Sequence, residues 1–245
     1  MICALMIGRA GSTGFPKKNI IKILGRRLCE YPLIAAKKSK FVDKVFVSTD
    51  CSTIKSSAKK YGAILIKRPK RLSTNKALGE DVFQHGYYEI KKILKNEKIE
   101  LVVLLMANAA MVKSNLIDKG IRFLKNNKKF DSAVSTSVYN MWSPLRARKI
   151  NKKNLLESFI PIKFFGNPKT LNCDRDSQGD VHYADMSLSV VRPRCLENLG
   201  SGLLPQRWMG KKIAPIPSWG GCDVDYDWQI PMVEYWLKKN GYKRK

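Results

Sequence analysis

The sequence predicts an α/β fold, a three-layer sandwich on a mostly parallel sheet, and three observations carry that prediction. Apolar runs of strand length alternate with helix-period segments through the first half of the chain, the order that specifies a parallel sheet with crossover helices. Hydrophobic residues make up 44% and charged residues 27% of 245 positions, enough to bury a sizeable core and unlike a disordered chain. From Trp142 to Asp185 neither period is sustained, and Pro144, Pro161, Gly166, Pro168 and Gly179 punctuate short basic and aromatic pieces, which reads as an insertion.

In chain order, strands are expected at Ile2 to Ile7, Lys44 to Ser48, Ala63 to Ile66, Leu101 to Met106 and Ser132 to Thr136. Val82, Phe83, Gly86, Tyr87, Ile90, Ile93 and Leu94 recur at three- and four-residue steps, one stripe of an amphipathic helix, and Leu116, Gly120, Phe123 and Leu124 repeat the pattern. After the insertion come a strand at Ser187 to Val191, ended by Arg192-Pro193, and another at Lys211 to Ile216 before Pro217. The closing helix puts Trp228, Met232, Tyr235 and Trp236 on one face, with Asp227 as N-cap, Pro231 in the tolerant first turn and Gly241 as C-cap. No repeat or low-complexity linker divides the chain, so one domain over residues 1–245 with an inserted arm at about 142–185 is expected.

Lys and Arg number 46 against 20 Asp and Glu, a net charge of +26, which calls for an acidic partner or reflects a composition bias. A basic nucleic-acid-binding protein would use such charge directly. The lysines, however, are spread over helix ends and loops, and no helix-turn-helix, RNP aromatic pattern or zinc knuckle is present, so no nucleic-acid partner is expected. Apolar stretches fall short of the ~20 residues of a membrane-spanning helix. Met1 to Ile7 runs into Gly8-Arg9 without the flanks of an export signal; the expectation is a cytoplasmic protein with no membrane partner. Cys3, Cys29, Cys51, Cys173, Cys195 and Cys222 show no C-x-x-C spacing, and only His85 and His182 stand beside them, so reduced, isolated thiols are expected. Two histidines also give little material for His-based catalysis.

The first strand empties into Gly8-Arg9-Ala10-Gly11-Ser12-Thr13-Gly14-Phe15-Pro16-Lys17-Lys18-Asn19. A loop at the carboxyl end of the first strand is where open α/β sheets bind ligands, and glycines let backbone N–H groups approach a phosphate. Arg9, Lys17 and Lys18 add the charge a polyphosphate requires. The loop is no Walker A motif, since Phe15-Pro16 follows Gly14, and it lacks the G-x-G-x-x-G order. By composition it reads equally as a phosphate cradle or as a turn with exposed lysines.

Near the other end, Asp223 and Asp225 stand two apart in an extended segment and project to one side, within reach of a single hard cation. Alone, such a pair is also a solvated turn or a helix-capping pair. Ser48-Thr49-Asp50 reads as a cap, with Thr49 or Asp50 accepting from the first N–H groups of the helix that follows.

Together these segments resemble the acylneuraminate cytidylyltransferase, or CMP-sugar synthetase, family. The family loop reads approximately Ala-Arg-x-Gly-Ser-Lys-Gly-x-Pro-x-Lys-Asn. Arg9, Gly11, Ser12, Gly14, Pro16, Lys18 and Asn19 match it in register, with Thr13 in place of its first lysine. Val47-Ser48-Thr49-Asp50, Arg68-Pro69 with Leu72, Leu104-Leu105 and Asp223-Val224-Asp225 follow in order, so the resemblance covers nearly the whole chain.

The resemblance implies a Rossmann-like, nucleotidyltransferase or GT-A-like sheet and transfer of a cytidylyl group from CTP to an anionic acceptor, with release of pyrophosphate. Catalysis is then positioning plus charge neutralisation. On this basis Gly8, Arg9, Ala10, Gly11, Ser12, Gly14, Lys18, Asn19 and Arg68 bind the nucleotide. Arg9 and Lys18 act catalytically on the charge of the leaving pyrophosphate, and Asp223 and Asp225 hold Mg²⁺. Arg175 lies ten residues before Asp185, as the family's carboxylate-binding arginine lies ten before an Asn-Gly pair, and a guanidinium suits bidentate binding of a carboxylate or phosphonate. Arg175, Asn108 and Asp185 are the acceptor-binding candidates. The arm is where the family builds its dimer contact, so a homodimer is implied.

Departures concentrate on the acceptor side. The family's Gln-Pro-Thr-Ser-Pro-Leu-Arg is here Met106-Ala107-Asn108-Ala109-Ala110-Met111-Val112, and its Asn-Gly is Asp185-Met186. Replacing Gln, Thr, Ser and Arg by Met and Ala removes partners a polyhydroxylated sugar needs. The expected acceptor is a sialic-acid-like or other 2-keto sugar acid, with a phosphonate as the alternative. A GT-A glycosyltransferase shares the sheet and the metal pair, but places its D-x-D at mid-chain rather than beside the terminal helix.

Overall fold

The computed structural model describes residues 1–11, 14–95, 97–172, 174 and 178–245. In chain order its strands are β1 (Ile2–Ile7), β2 (Lys22–Ile23), β3 (Arg26–Arg27), β4 (Lys44–Thr49), β5 (Ile64–Lys67), β6 (Leu101–Met106), β7 (Ser132–Val138), β8 (Arg148–Ile150), β9 (Leu156–Ser158), β10 (His182–Val191) and β11 (Ile213–Pro217). The helices are α1 (Glu30–Lys37), α2 (Ser52–Lys60), α3 (Gly79–Leu94), α4 (Ser114–Asn126), α5 (Pro193–Glu197) and α6 (Ile230–Lys239).

Seven strands form one sheet in the order β11-β7-β10-β6-β1-β4-β5. Only β10 runs against its neighbours, antiparallel to both β6 and β7, so the sheet is mostly parallel, as the strand and helix alternation requires. Because successive side chains point to opposite faces, β1 feeds two cores. Ala4 and Met6 pack with Leu33, Ile54, Ile117 and Ile121 from α1, α2 and α4. Cys3 and Leu5 pack with Val82, Phe83, Tyr87 and Ile90 of α3 and with Leu196 of α5. This is the three-layer sandwich. A third cluster joins Val233, Trp236 and Leu237 of α6 to Ile23, Leu28, Tyr31, Met111 and Val224, and so seats the terminal helix under the first loop.

Three expectations are corrected. β10 starts at His182, within the segment read as arm, rather than at Ser187. Its register against β7 shifts between Ala184 and Ser189, and Met186 takes a left-handed φ of 61°; such a bulge erases the two-residue period that signals a strand. α1 carries no sequence stripe because Glu30, Tyr31, Pro32, Leu33, Ala35 and Ala36 are all buried, leaving no polar face to contrast with. The closing helix is preceded by a 3-10 turn at Asp227–Gln229, which resets its phase. The buried face is therefore Val233, Trp236 and Leu237, while Trp228 and Tyr235 are 59% and 58% exposed. The N-cap is Tyr226 in a capping box with Gln229, whose Oε1 accepts from the N–H groups of Asp225 at 2.6 Å and Tyr226 at 2.9 Å, while Asp227 lies in the first turn and accepts from the Trp228 N–H at 2.8 Å.

β8 and β9 form an antiparallel hairpin within the arm, where Met141, Ile150, Leu155, Leu156, Phe159 and Phe164 are exposed. Cys3, Cys29, Cys51, Cys195 and Cys222 are free thiols. Burial pushes Cys3 up to about 12 and Cys29 up to about 11. Among the described residues no helix is long and apolar enough to cross a membrane.

Candidate active site

At the carboxyl end of β1 the chain enters the loop through Gly8, whose N–H donates to Ser48 O at 3.3 Å. A Cβ on Gly8 would stand 2.6 Å from the Cβ of Ala107, so only glycine lets the ends of β1 and β6 lie side by side. Side chains then pin the loop backbone. Asn19 Nδ2 donates to Arg9 O at 2.9 Å, Arg68 Nη1 to Gly8 O at 3.0 Å, and the Ala10 N–H to Asp50 Oδ1 at 3.0 Å. Arg9 Nη1 reaches Thr74 O. Lys17 adopts a left-handed φ of 60° that turns the chain so that Lys18 and Asn19 face back toward Arg9.

These segments surround a cavity of about 260 Å³. Gly8, Arg9, Gly11, Lys18 and Asn19 line it from the loop, and Arg68, Asn108 and Asp223 close it from three other segments. Residues from both ends of the chain, Gly8 and Asp223 among them, thus converge where an open α/β sheet binds its ligand. Asp225 joins them through an ion pair with Lys18.

The Asp223-Val224-Asp225 segment is held by Asn108. The Val224 N–H donates to Asn108 O at 3.0 Å, and Asn108 Nδ2 donates back to Val224 O at 3.0 Å and toward Asp223 Oδ2 at 3.4 Å. Burial raises the Asp223 carboxyl above the ordinary range and the neighbouring Asp225 charge adds to this, against the opposing pull of Lys18 and Asn108. Two carboxylates of which one is poorly compensated are a donor set that fits a hard cation. Among the described residues no group of three or more His, Cys, Asp or Glu converges. An ion here would draw the rest of its shell from phosphate and water, the manner in which Mg²⁺ is commonly held. The residues present fit Mg²⁺.

The structure assigns several predicted residues differently. Asp50 does not cap α2: its carboxylate accepts from Ala10, and Thr49 Oγ1 accepts from the Cys51 N–H at 3.1 Å. Arg68 lines the cavity but donates to Gly8 O and, through Nε at 2.9 Å, to Leu72 O, so much of its guanidinium shapes the loop. Asn108, expected to face the acceptor, lines the cavity and in addition braces the aspartate segment. Asp185 lies outside the cavity, 4% exposed, and accepts from the hydroxyls of Ser135 and Ser137 and the N–H of Ser187; an interior carboxylate so engaged has no face for an acceptor. Gly14 approaches the carbonyl of Asp225. Ser12, Thr13 and Arg175 lie outside the described residues. Sequence reasoning missed Gln229 and the β7 residues Ser135 and Ser137; the serines carry no local signal, because the polar Thr136 between them hides any alternation.

Residues 3–160 match the family described as Cytidylyltransferase. A pseudaminic acid cytidylyltransferase of Campylobacter jejuni is 31% identical over 62% of this chain and 64% of its own. An N-acylneuraminate cytidylyltransferase of Escherichia coli is 27% identical over 57% of this chain and 32% of its own. The matched part of the chain thus spans less than two thirds of these curated relatives. The solved structure of CMP:2-keto-3-deoxy-manno-octonic acid synthetase complexed with CTP superimposes with a TM-score of 0.68 at 14% identity, covering 98% of this chain and 99% of that one, which is a likeness of fold. With a family match over more than half of its length, a mostly parallel seven-stranded sheet and the loop and aspartate pair meeting in one cavity, the chain belongs to the cytidylyltransferase family.

Proposed function

We propose that this protein transfers a cytidylyl group from CTP to a sialic-acid-like or other 2-keto sugar acid. The observation that carries the reading is the convergence of Arg9, Lys18, Asn19, Asn108 and Asp223 on one cavity at the carboxyl end of the sheet. An acceptor oxygen attacks the α-phosphorus in line; the new O–P bond forms as the bond to the bridging oxygen breaks, pyrophosphate leaves with the electron pair, and the acceptor proton passes to solvent. Gly11 leaves room for phosphate beside the loop backbone, where a Cβ would meet nothing nearer than Asn75 Oδ1 at 3.9 Å. Arg9 and Lys18 place positive charge at opposite ends of the loop, where it offsets charge growing on the leaving group. Asp223 and Asp225 hold Mg²⁺, which when bound neutralises phosphate charge. Lys18 is paired with Asp225, so its ammonium lies between the aspartate pair and the loop, where it would also meet the phosphates.

The acceptor side favours a ligand with few hydroxyl contacts. Ala109, Ala110, Met111 and Val112 are fully buried and Met106 lines the cavity, so this segment offers little beyond Asn108. That observation keeps a phosphonate as the second reading. The exposed apolar side chains of the arm are covered by a second copy in a homodimer; a monomer in sedimentation at micromolar concentration would contradict this.

A pyrophosphate-release screen crossing four nucleoside triphosphates with sialic-acid-like sugars, Kdo-like sugars and phosphonates tests the reading. Release is expected with CTP alone among the triphosphates. Release with UTP or ATP in its place would overturn the nucleotide assignment, and a phosphonate as sole acceptor would replace the sugar acid.

A further inference from the structure

Gly221, two residues before Asp223, is clamped by β7 and β10. Its N–H donates to Ser137 Oγ at 3.0 Å, and its carbonyl accepts from Tyr139 Oη at 2.9 Å. Its Cα packs directly on Asp185: a Cβ there would stand 2.3 Å from Asp185 Oδ2 and 2.7 Å from Ser187 Oγ. Asp185 completes the bracket by accepting from Ser137 Oγ at 2.7 Å, from Ser135 Oγ and from the Ser187 N–H at 3.1 Å. Ser137 therefore both receives the Gly221 amide and is held by the carboxylate.

Three residues further on, Asn108 pins Val224 in both directions. The segment carrying Asp223 is thus fixed at two points, Gly221 and Val224, and an extended chain fixed so closely has little freedom left for the carboxylate between them. The register explains why these side chains cooperate. Ser135, Ser137 and Tyr139 alternate and so share a face, and the β10 bulge brings Asp185 opposite them. Tyr139 also marks the root of the arm, its ring 4.6 Å from that of Trp142 and 6.3 Å from that of Tyr183.

We propose that Asp185, Ser137 and Tyr139 are positioning residues that set the place of the Asp223 carboxylate relative to Asp225, with Tyr139 tying the arm's root to the cation site. This rests on the reading that Asp223 and Asp225 hold a divalent cation. Groups that orient metal ligands without touching the ion commonly change affinity by about ten- to a hundredfold when removed. A hydroxyl that only supports the fold changes stability and leaves metal affinity alone.

The probe is Tb³⁺, titrated into the full chain without nucleotide and followed by protein-sensitised luminescence, with the Mg²⁺ dependence of pyrophosphate release as a second readout. Tyr139→Phe and Ser137→Ala are expected to weaken Tb³⁺ binding about tenfold and to raise the Mg²⁺ concentration for half-maximal rate more than they lower the maximal rate. Tb³⁺ affinities within twofold of the parent in variants with unaltered circular dichroism would overturn the proposal. If Ser137→Ala does not fold, Tyr139→Phe decides alone, because it removes one oxygen and leaves the ring packing in place. Asp225→Ala separates the two claims. If it leaves Tb³⁺ binding intact, the cation reading fails and the positioning role with it; if it abolishes binding while Tyr139→Phe does not weaken it, only the positioning role fails.

Discussion

Asp131 and Asp223 stand at opposite ends of the same sheet and meet opposite environments. Asp131 immediately precedes β7, at the amino end of the parallel strands. It accepts from the N–H groups of Lys211 and Lys212, each at 2.9 Å, and from Arg194 Nε at 2.8 Å. Burial pushes its carboxyl up, but these backbone and side-chain donors together hold it below the ordinary range. Beside it, Arg192 donates to Phe130 O and Leu124 O at 2.8 Å and to Asn127 O at 3.2 Å, satisfying carbonyls at the end of α4. At the carboxyl end, Asp223 has one long amide contact and a second carboxylate for a neighbour, and its carboxyl is raised. One end of the sheet satisfies its charges within the chain and serves stability. The other pairs Asp225 with Lys18 but leaves Asp223 largely unmatched, the arrangement expected of a site completed by a ligand.

That contrast can be broken by substitution, and the largest effect is expected at the unmatched end. Asp225→Ala should lower CTP-dependent pyrophosphate release about a thousandfold with little loss of thermal stability; retained activity would remove Asp225 from the site. Arg9→Ala should lower the same rate about a hundredfold, again in a chain that melts normally, and a rate within threefold of the parent would leave the charge of the loop without a catalytic role. Arg192→Met reverses the pattern. It removes one donor from each of the carbonyls of Leu124, Asn127 and Phe130, which keep the Asn127 N–H, the Phe130 N–H and Arg194 Nη2, and should cost about 1–2 kcal/mol in urea unfolding while activity per folded molecule holds.

The smallest effect is the most specific. Because the Asp131 carboxyl is lowered on folding from 3.8, its stabilisation is present above that pH and is lost as pH falls through the lowered value. Asp131→Asn should therefore lose roughly 1 kcal/mol at neutral pH and show a flatter decline in stability below about pH 4. An acid limb identical to that of the parent would show that Asp131 does not carry it.

The parts of the site that were legible in the sequence are those whose spacing is local. The loop from Gly8 to Asn19 and the pair Asp223 and Asp225 announce themselves because glycine, base and carboxylate sit at short, meaningful intervals. Asn108 and Asp185 show the limit. Both were expected at the acceptor; Asn108 does line the cavity but also donates to the aspartate segment, and Asp185 turns to Ser135 and Ser137, because which way a polar side chain turns depends on partners brought from strands distant in sequence. Ser137 and Tyr139 were invisible for the same reason: their partner Gly221 lies 84 and 82 positions away. α1 escaped detection because burial on all sides leaves no periodic contrast, and the first half of β10 because its bulge shifts the phase ahead of the expected Ser187 to Val191.

By itself the sequence determined the α/β class, the strands β1 and β6 residue for residue, and the chemistry available at the first loop and the last aspartates, since all of these follow from periods and spacings within a few residues. Only the tertiary structure decided that the two motifs share one cavity, that β10 runs against its neighbours, and that Asp185 is buried against the hydroxyls of Ser135 and Ser137. The physical reason is that strand order, direction and the pairing of buried polar groups are settled by contacts between segments far apart in the chain, and no local pattern encodes which donor a carboxylate will meet.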